Sequence, residues 1–205
     1  MLTLGSDGER VTQLQSLLAE CGYFDHNITG YFGATTDTAV RLFQMGNALP
    51  ATGLVTDGTI ALLQSNYARP LSGVSEALNA QVKALDGAAR AVIGVAALRM
   101  RGQPFAADDE DLYPGFAFVQ YACVSCGIPV VDPDDILPLM DEPVEDAEAL
   151  VSGDIVRYRL RGDDSEYFAI SSGGASILYA RDGWVLETNL SALQPMELFQ
   201  WRIVE

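Results

Sequence analysis

The sequence predicts an α+β chain in two units, with helices first and antiparallel strands last. Three observations carry this. Apolar residues recur at helical spacing through residues 1–67, and helical patterning resumes over 78–127. From Gly153 onward, short runs rich in branched and aromatic residues alternate with Gly- and Asp-containing turns. Helices gathered ahead of strands favour α+β over an alternating parallel architecture. The expected divisions are a small three-helix domain over 1–67, a linker over 68–77 punctuated by Pro70 and Gly73, and a second domain over 78–205.

In the first unit, Ser6 and Glu9 have capping-box spacing ahead of a helix striped by Val11, Leu14, Leu17, Leu18 and Cys21. A second helix carries Ala39, Val40 and Phe43, and a third Ile60 and Leu63. A near-repeat runs through these elements. Thr29-Gly30 is followed by Thr36, and Thr52-Gly53 by Thr59, at the same interval of seven residues. Each Thr-Gly reads as a turn whose glycine is free to take positive φ, and each later threonine as a helix-start residue.

The second unit reads as one helix over 78–101, an acidic loop over 106–111, and a helix over 116–126 that stops at Gly127 with Pro129 beyond. A Pro- and Asp-rich stretch follows over 132–148. Strands are expected at 155–160, 167–171, 177–180, 184–187 and 197–204.

Charge narrows the partners. Twelve Lys and Arg against 28 Asp and Glu leave a net charge of −16, which disfavours nucleic acid and anionic membrane surfaces. A neutral or cationic ligand is expected. The longest uncharged apolar run, 91–98, is too short to insert across a bilayer. No basic segment followed by an apolar one opens the chain, so no signal peptide is visible.

Metal and cofactor chemistry find little footing. Cys123 and Cys126 have Cys-x-x-Cys spacing without a second pair or a nearby histidine, and read as buried core thiols or a redox pair. His26, the only histidine, sits in a loop and reads as an ordinary loop residue. Asp108, Asp109, Glu110 and Asp111 lack calcium-loop spacing, and Asp132, Asp134 and Asp135 read as turn or helix-start residues. No metal and no cofactor are expected.

The run Gly5-Ser6-Asp7-Gly8, Val11, Leu14-Gln15, Gly22-Tyr23, Thr29-Gly30-Tyr31-Phe32-Gly33, Thr36, Ala39-Val40, Phe43-Gln44, Thr52-Gly53 and Thr59 resembles the peptidoglycan-binding module of bacterial wall hydrolases. The resemblance implies a non-catalytic, three-helix wall-targeting domain with peptidoglycan as partner, in an extracytoplasmic or wall-associated place. Tyr31 and Phe32 are either packing residues or an aromatic shelf for a sugar or peptide.

The second unit resembles the NlpC-type cell-wall cysteine peptidases, which have a papain-like core. The matching pieces are Gly102-Gln103-Pro104-Phe105, Phe118-Val119-Gln120-Tyr121, Gly127-Ile128, Gly153-Asp154-Ile155-Val156, Phe168-Ala169-Ile170 and Ile177-Leu178-Tyr179-Ala180. That family's chemistry needs a thiolate at a helix N-terminus, a histidine beside it and a third polar group to orient the histidine. Aligned on Phe118-Val119-Gln120-Tyr121, these positions fall on Gly115, Tyr167 and Tyr179, none of a catalytic type. The resemblance therefore implies a pseudoenzyme whose Gly115, Tyr167 and Tyr179 converge at a remnant groove. Tyr113, Phe116, Tyr167 and Tyr179 are its candidate ligand contacts, for a wall peptide or protein partner. Tyr167 and Tyr179 can equally be core residues. The alternative is an active peptidoglycan hydrolase with a non-standard site, for instance Glu166 with a bound metal.

Overall fold

The computed structural model describes residues 1–85, 87–105, 113–140, 142–193, 195 and 197–201. The acidic run at 108–111 and the end of the last expected strand lie outside them.

Helices α1 (Glu9–Glu20), α2 (Ala34–Gly46) and α3 (Asp57–Leu63) build the first unit. Val11, Leu14 and Leu18 of α1, Val40 and Phe43 of α2 and Leu63 of α3 close on Phe32 and Val55 in one buried cluster. Each such side chain contributes roughly 1.5–3 kcal/mol by leaving water. The capping box does form, but on α3. There Thr56 accepts from the Thr59 amide and the Thr59 hydroxyl from the Thr56 amide. Ser6 and Glu9 do not make one. The backbone at Ser6 accepts from the Phe32 amide at 2.8 Å, and α1 begins after Gly8 without a side-chain cap.

The stretch expected as a linker is a packed strap. Its 3-10 turn, Leu71–Gly73, docks through the Leu71 amide onto the Cys21 carbonyl at 2.9 Å, and Val74 is buried in the first unit's core. Leu78, on α4 (Ser75–Lys83), joins the same core. The single helix expected over 78–101 is two, α4 and α5 (Gly87–Met100), interrupted ahead of Gly87, a poor helix former. Helix α6 (Phe116–Ser125) packs against α2, and its Val124 is buried among the first unit's side chains, so the two units share a boundary.

Strands β1 (Glu142–Pro143), β2 (Ile155–Arg159), β3 (Glu166–Gly173), β4 (Ser176–Arg181), β5 (Trp184–Asn189) and β6 (Glu197–Trp201) form one sheet in the order β1-β6-β2-β3-β4-β5, antiparallel throughout. A one-turn helix, α7 (Leu190–Leu193), joins the last two. Successive side chains alternate across the sheet. Ile155, Phe168, Ile170, Leu178 and Val185 face α5 and α6 and meet Ile93, Phe118, Val119 and Cys123. Val156, Tyr158, Ala169 and Ile177 face the other way, under Leu150 and Leu190. The α+β order with helices first is the observed one. Among the described residues no helix is long and apolar enough to cross a membrane.

Candidate functional site

The near-repeat of the first unit has a physical cause, a buried glutamine on each of two helices. Gln15 on α1 is fully buried. Its Oε1 accepts from the amides of Thr29 and Gly30 at 3.1 and 2.9 Å, and its Nε2 donates to the Tyr31 carbonyl and the Thr36 hydroxyl, each at 3.0 Å. Gln44 on α2 does the same at the second turn, accepting from the Gly53 amide at 3.0 Å and donating to the Leu54 carbonyl at 2.9 Å. A glutamine amide supplies both a donor and an acceptor, so one buried side chain satisfies both polarities of a turn. Gly30 and Gly53 hold φ of +72° and +71°, which favours glycine. Thr36 therefore completes the Gln15 clamp rather than capping α2, which starts after Gly33 with no side-chain cap.

Beside the second turn lies a buried ion pair. Arg41 Nε donates to Asp37 Oδ2 at 2.6 Å, and its guanidinium also reaches the Ala51 carbonyl at 2.8 Å. Burial pushes the Asp37 carboxyl up, and Arg41 pulls it back.

The clamp separates the two aromatic candidates of the first unit. Phe32 is wholly buried and is core, which removes it as a ligand contact. Tyr31, next along the turn, points outward and is 52% exposed, with its ring against the Gly33 backbone.

In the second unit, Gly115 is the N-cap of α6 in the left-handed conformation, φ +85°. It lies against β3. The Phe168 amide donates to the Pro114 carbonyl at 2.8 Å, and a Cβ on Gly115 would overlap the Phe168 carbonyl oxygen, with the carbonyl carbon 3.2 Å away. The Phe168 ring fills the space, edge-on to Tyr113 at 5.8 Å and to Phe116 at 5.6 Å. Gly115, Tyr113 and Phe116 are thus brought together.

Tyr167 and Tyr179 do not join them. Both lie among the residues of the opposite sheet face, with Tyr158, Ala169 and Ile177. The Tyr167 ring stacks on Tyr158 at 5.4 Å and its hydroxyl donates to Asp163. This bond and partial burial push its phenol up, and burial does the same for Tyr158. The convergence expected of Gly115, Tyr167 and Tyr179 therefore fails. A shift of one residue along a strand reverses the face, and the β3 side chain opposite Gly115 is Phe168. Alternation did not reveal this, because β3 is apolar or aromatic on both faces.

The remaining chemistry-bearing residues have structural partners. Cys123 is wholly buried, and burial drives its thiol pKa up; the half-buried Cys126 shifts the same way, and both are free thiols. His26 stands in the first unit, 3.5 Å from Asp25 and edge-on to Phe24. Asp135 accepts from the Val131 and Asp132 amides at 3.0 Å, and Asp132 from the Asp134 amide at 2.9 Å, as turn residues. Glu166 is held between Arg157 and Arg159 at 2.8 and 3.0 Å. That neutralises the carboxylate that a metal-assisted site would need.

The family resemblances include Gln15, Gln44 and Phe168, but the sequence alone assigns them no role. The signal for the glutamines was a polar residue adjoining a buried apolar stripe in both halves of the repeat, Leu14-Gln15 and Phe43-Gln44.

Among solved structures, a Staphylococcus aureus protein described as similar to a lipoprotein of the NLP/P60 family aligns over 94% of this chain and 75% of its own, at 16% identity and a TM-score of 0.42. Residues 7–63, which hold both clamped turns, match the family described as "Putative peptidoglycan binding domain".

Proposed function

We propose that this protein is a bacterial cell-wall protein that binds peptidoglycan through its first unit and does not cleave it. Wall association rests on the match over residues 7–63. The two glutamine clamps hold the turns of that unit rigid, and a preorganised loop loses less entropy when a ligand docks on it. The second unit is read as a cysteine-peptidase relative without a nucleophile, on Gly115 and the single distant histidine alone, because Tyr167 and Tyr179 lie on the other sheet face.

Gly115 is the observation that carries the non-catalytic half. A nucleophile at the α6 N-terminus needs a side chain, and the Phe168 carbonyl leaves no room for one. Tyr113 and Phe116 pack on Phe168 beside Gly115. The single histidine lies elsewhere, and the buried Cys123 is no thiolate at neutral pH.

Co-sedimentation of the full chain with insoluble peptidoglycan tests the binding half. The chain is expected in the pellet, and equally so or more as salt rises from low to physiological strength. A protein of net charge −16 is repelled by anionic wall polymers, and salt screens that repulsion. A chain that stays in the supernatant throughout contradicts the reading.

A further inference from the structure

A cleft of about 480 Å³ opens where the two units meet. Its walls are Tyr31 and Leu4 of the first unit and Met100, Gln103, Phe105 and Tyr121 of the second. The volume lies in the range of small-molecule sites. In a chain of net charge −16, none of the described residues lining this cleft is charged.

The wall chemistry is specific. The Tyr31 ring is fixed on one side by Gly33 and by the Gln15 clamp on its own carbonyl, and is free on the other. Phe105 is buried at the base, edge-on to Tyr121 at 5.8 Å. Burial, with the Asp37 charge adding to it, pushes the Tyr121 phenol up, so it remains a neutral donor. Among the described residues, the hydroxyls of Tyr31 and Tyr121 and the side-chain amide of Gln103 make no hydrogen bond within the chain.

We propose that this cleft binds an uncharged N-acetylated sugar of the glycan strand. The inference rests on the wall-binding reading and assigns it a site. A sugar ring offers an apolar face to stack on Tyr31. Its acetamido group matches Gln103 with its amide, while the methyl meets Met100 and Phe105. The described walls, being uncharged, select against the carboxylates and ammonium groups of peptide stems, because a charge buried without a partner is costly.

Calorimetric titration of the full chain with tri-N-acetylchitotriose, an uncharged N-acetylglucosamine trimer, tests this, with maltotriose as the sugar lacking acetamido groups. Chitotriose is expected to bind and maltotriose not to. Tyr31→Ala should weaken binding by about tenfold or more, the loss of one good stacking contact, and Tyr31→Phe should largely retain it. Only backbone atoms of Tyr31 enter the clamp, so these variants keep the fold, and Gln103→Ala supplies an independent one. No chitotriose binding by a chain that still sediments with peptidoglycan overturns the site but not the wall reading. Failure to sediment overturns the wall reading itself. Equal affinity for maltotriose, or unchanged binding in both Tyr31→Ala and Gln103→Ala, also overturns the proposal.

Discussion

The carbonyl oxygen of Phe168 stands where a side chain on Gly115 would begin. The backbone of α6 meets β3 there so closely that only a hydrogen fits, and the left-handed φ of Gly115 is itself costly for any other residue. The helix lies directly on the strand there, and the Phe168 ring packs against Tyr113 and Phe116 beside it.

Placing a thiol at this position should therefore fail in a particular way. Gly115→Cys is expected to destabilise the chain by about 3 kcal/mol, from left-handed strain and overlap together. Gly115→Ala should cost nearly as much, since the Cβ is the cause. Urea unfolding of the two variants measures this, and a Gly115→Cys protein as stable as the parent would show that the strand can yield.

The glutamine clamps should rank among the most sensitive polar positions of the first unit. Gln15→Ala removes the acceptor of the part-buried Thr29 and Gly30 amides, at a cost of about 2 kcal/mol. Gln15→Glu keeps the acceptor for those amides but loses the donor to Tyr31 and Thr36, and buries a charge. Thermal unfolding should place both variants well below the parent.

These clamps also show how far the sequence could be read. The apolar stripes of α1 and α2 and the Thr-Gly turns were visible because each is local, a matter of spacing along one element. The strap at Leu71 and Val74 was not, because Pro70 and Gly73 signal a break whether or not the chain between them packs. Strand β1 and helix α7 are too short to show a period. Tyr167 and Tyr179 were misplaced for a different reason. A motif comparison fixes a residue only to within its register, and on a strand one step exchanges the groove for the far face.

Tyr23 should report on alkaline stability. Its hydroxyl donates to the Arg69 carbonyl at 2.9 Å, and burial pushes its phenol up to about 12. A raised pKa means that its contribution is complete below the ordinary phenol value near 10, and is lost as pH rises through about 12. Tyr23→Phe is expected to lose about 1 kcal/mol at neutral pH and to show a shallower decline over that alkaline window. Denaturant midpoints across pH check both, and an unchanged alkaline slope would exclude Tyr23 as its source.

Cys123 should be inert in the native protein. Its thiol is wholly buried, with a raised pKa, so alkylation should follow unfolding rather than precede it. Mass spectrometry of the iodoacetamide-treated native chain is expected to leave Cys123 unmodified, while denaturant should expose it fully. Rapid native labelling would place a thiolate where the core is described.

The chain is expected to hold the wall without cutting it. Analysis of the soluble fraction by mass spectrometry, after the full chain has been bound to purified peptidoglycan and incubated, tests this most directly. Chain in the pellet is expected, with no soluble muropeptides or stem-peptide fragments beyond those of a protein-free control. Fragments that accumulate with time and with protein concentration would contradict it.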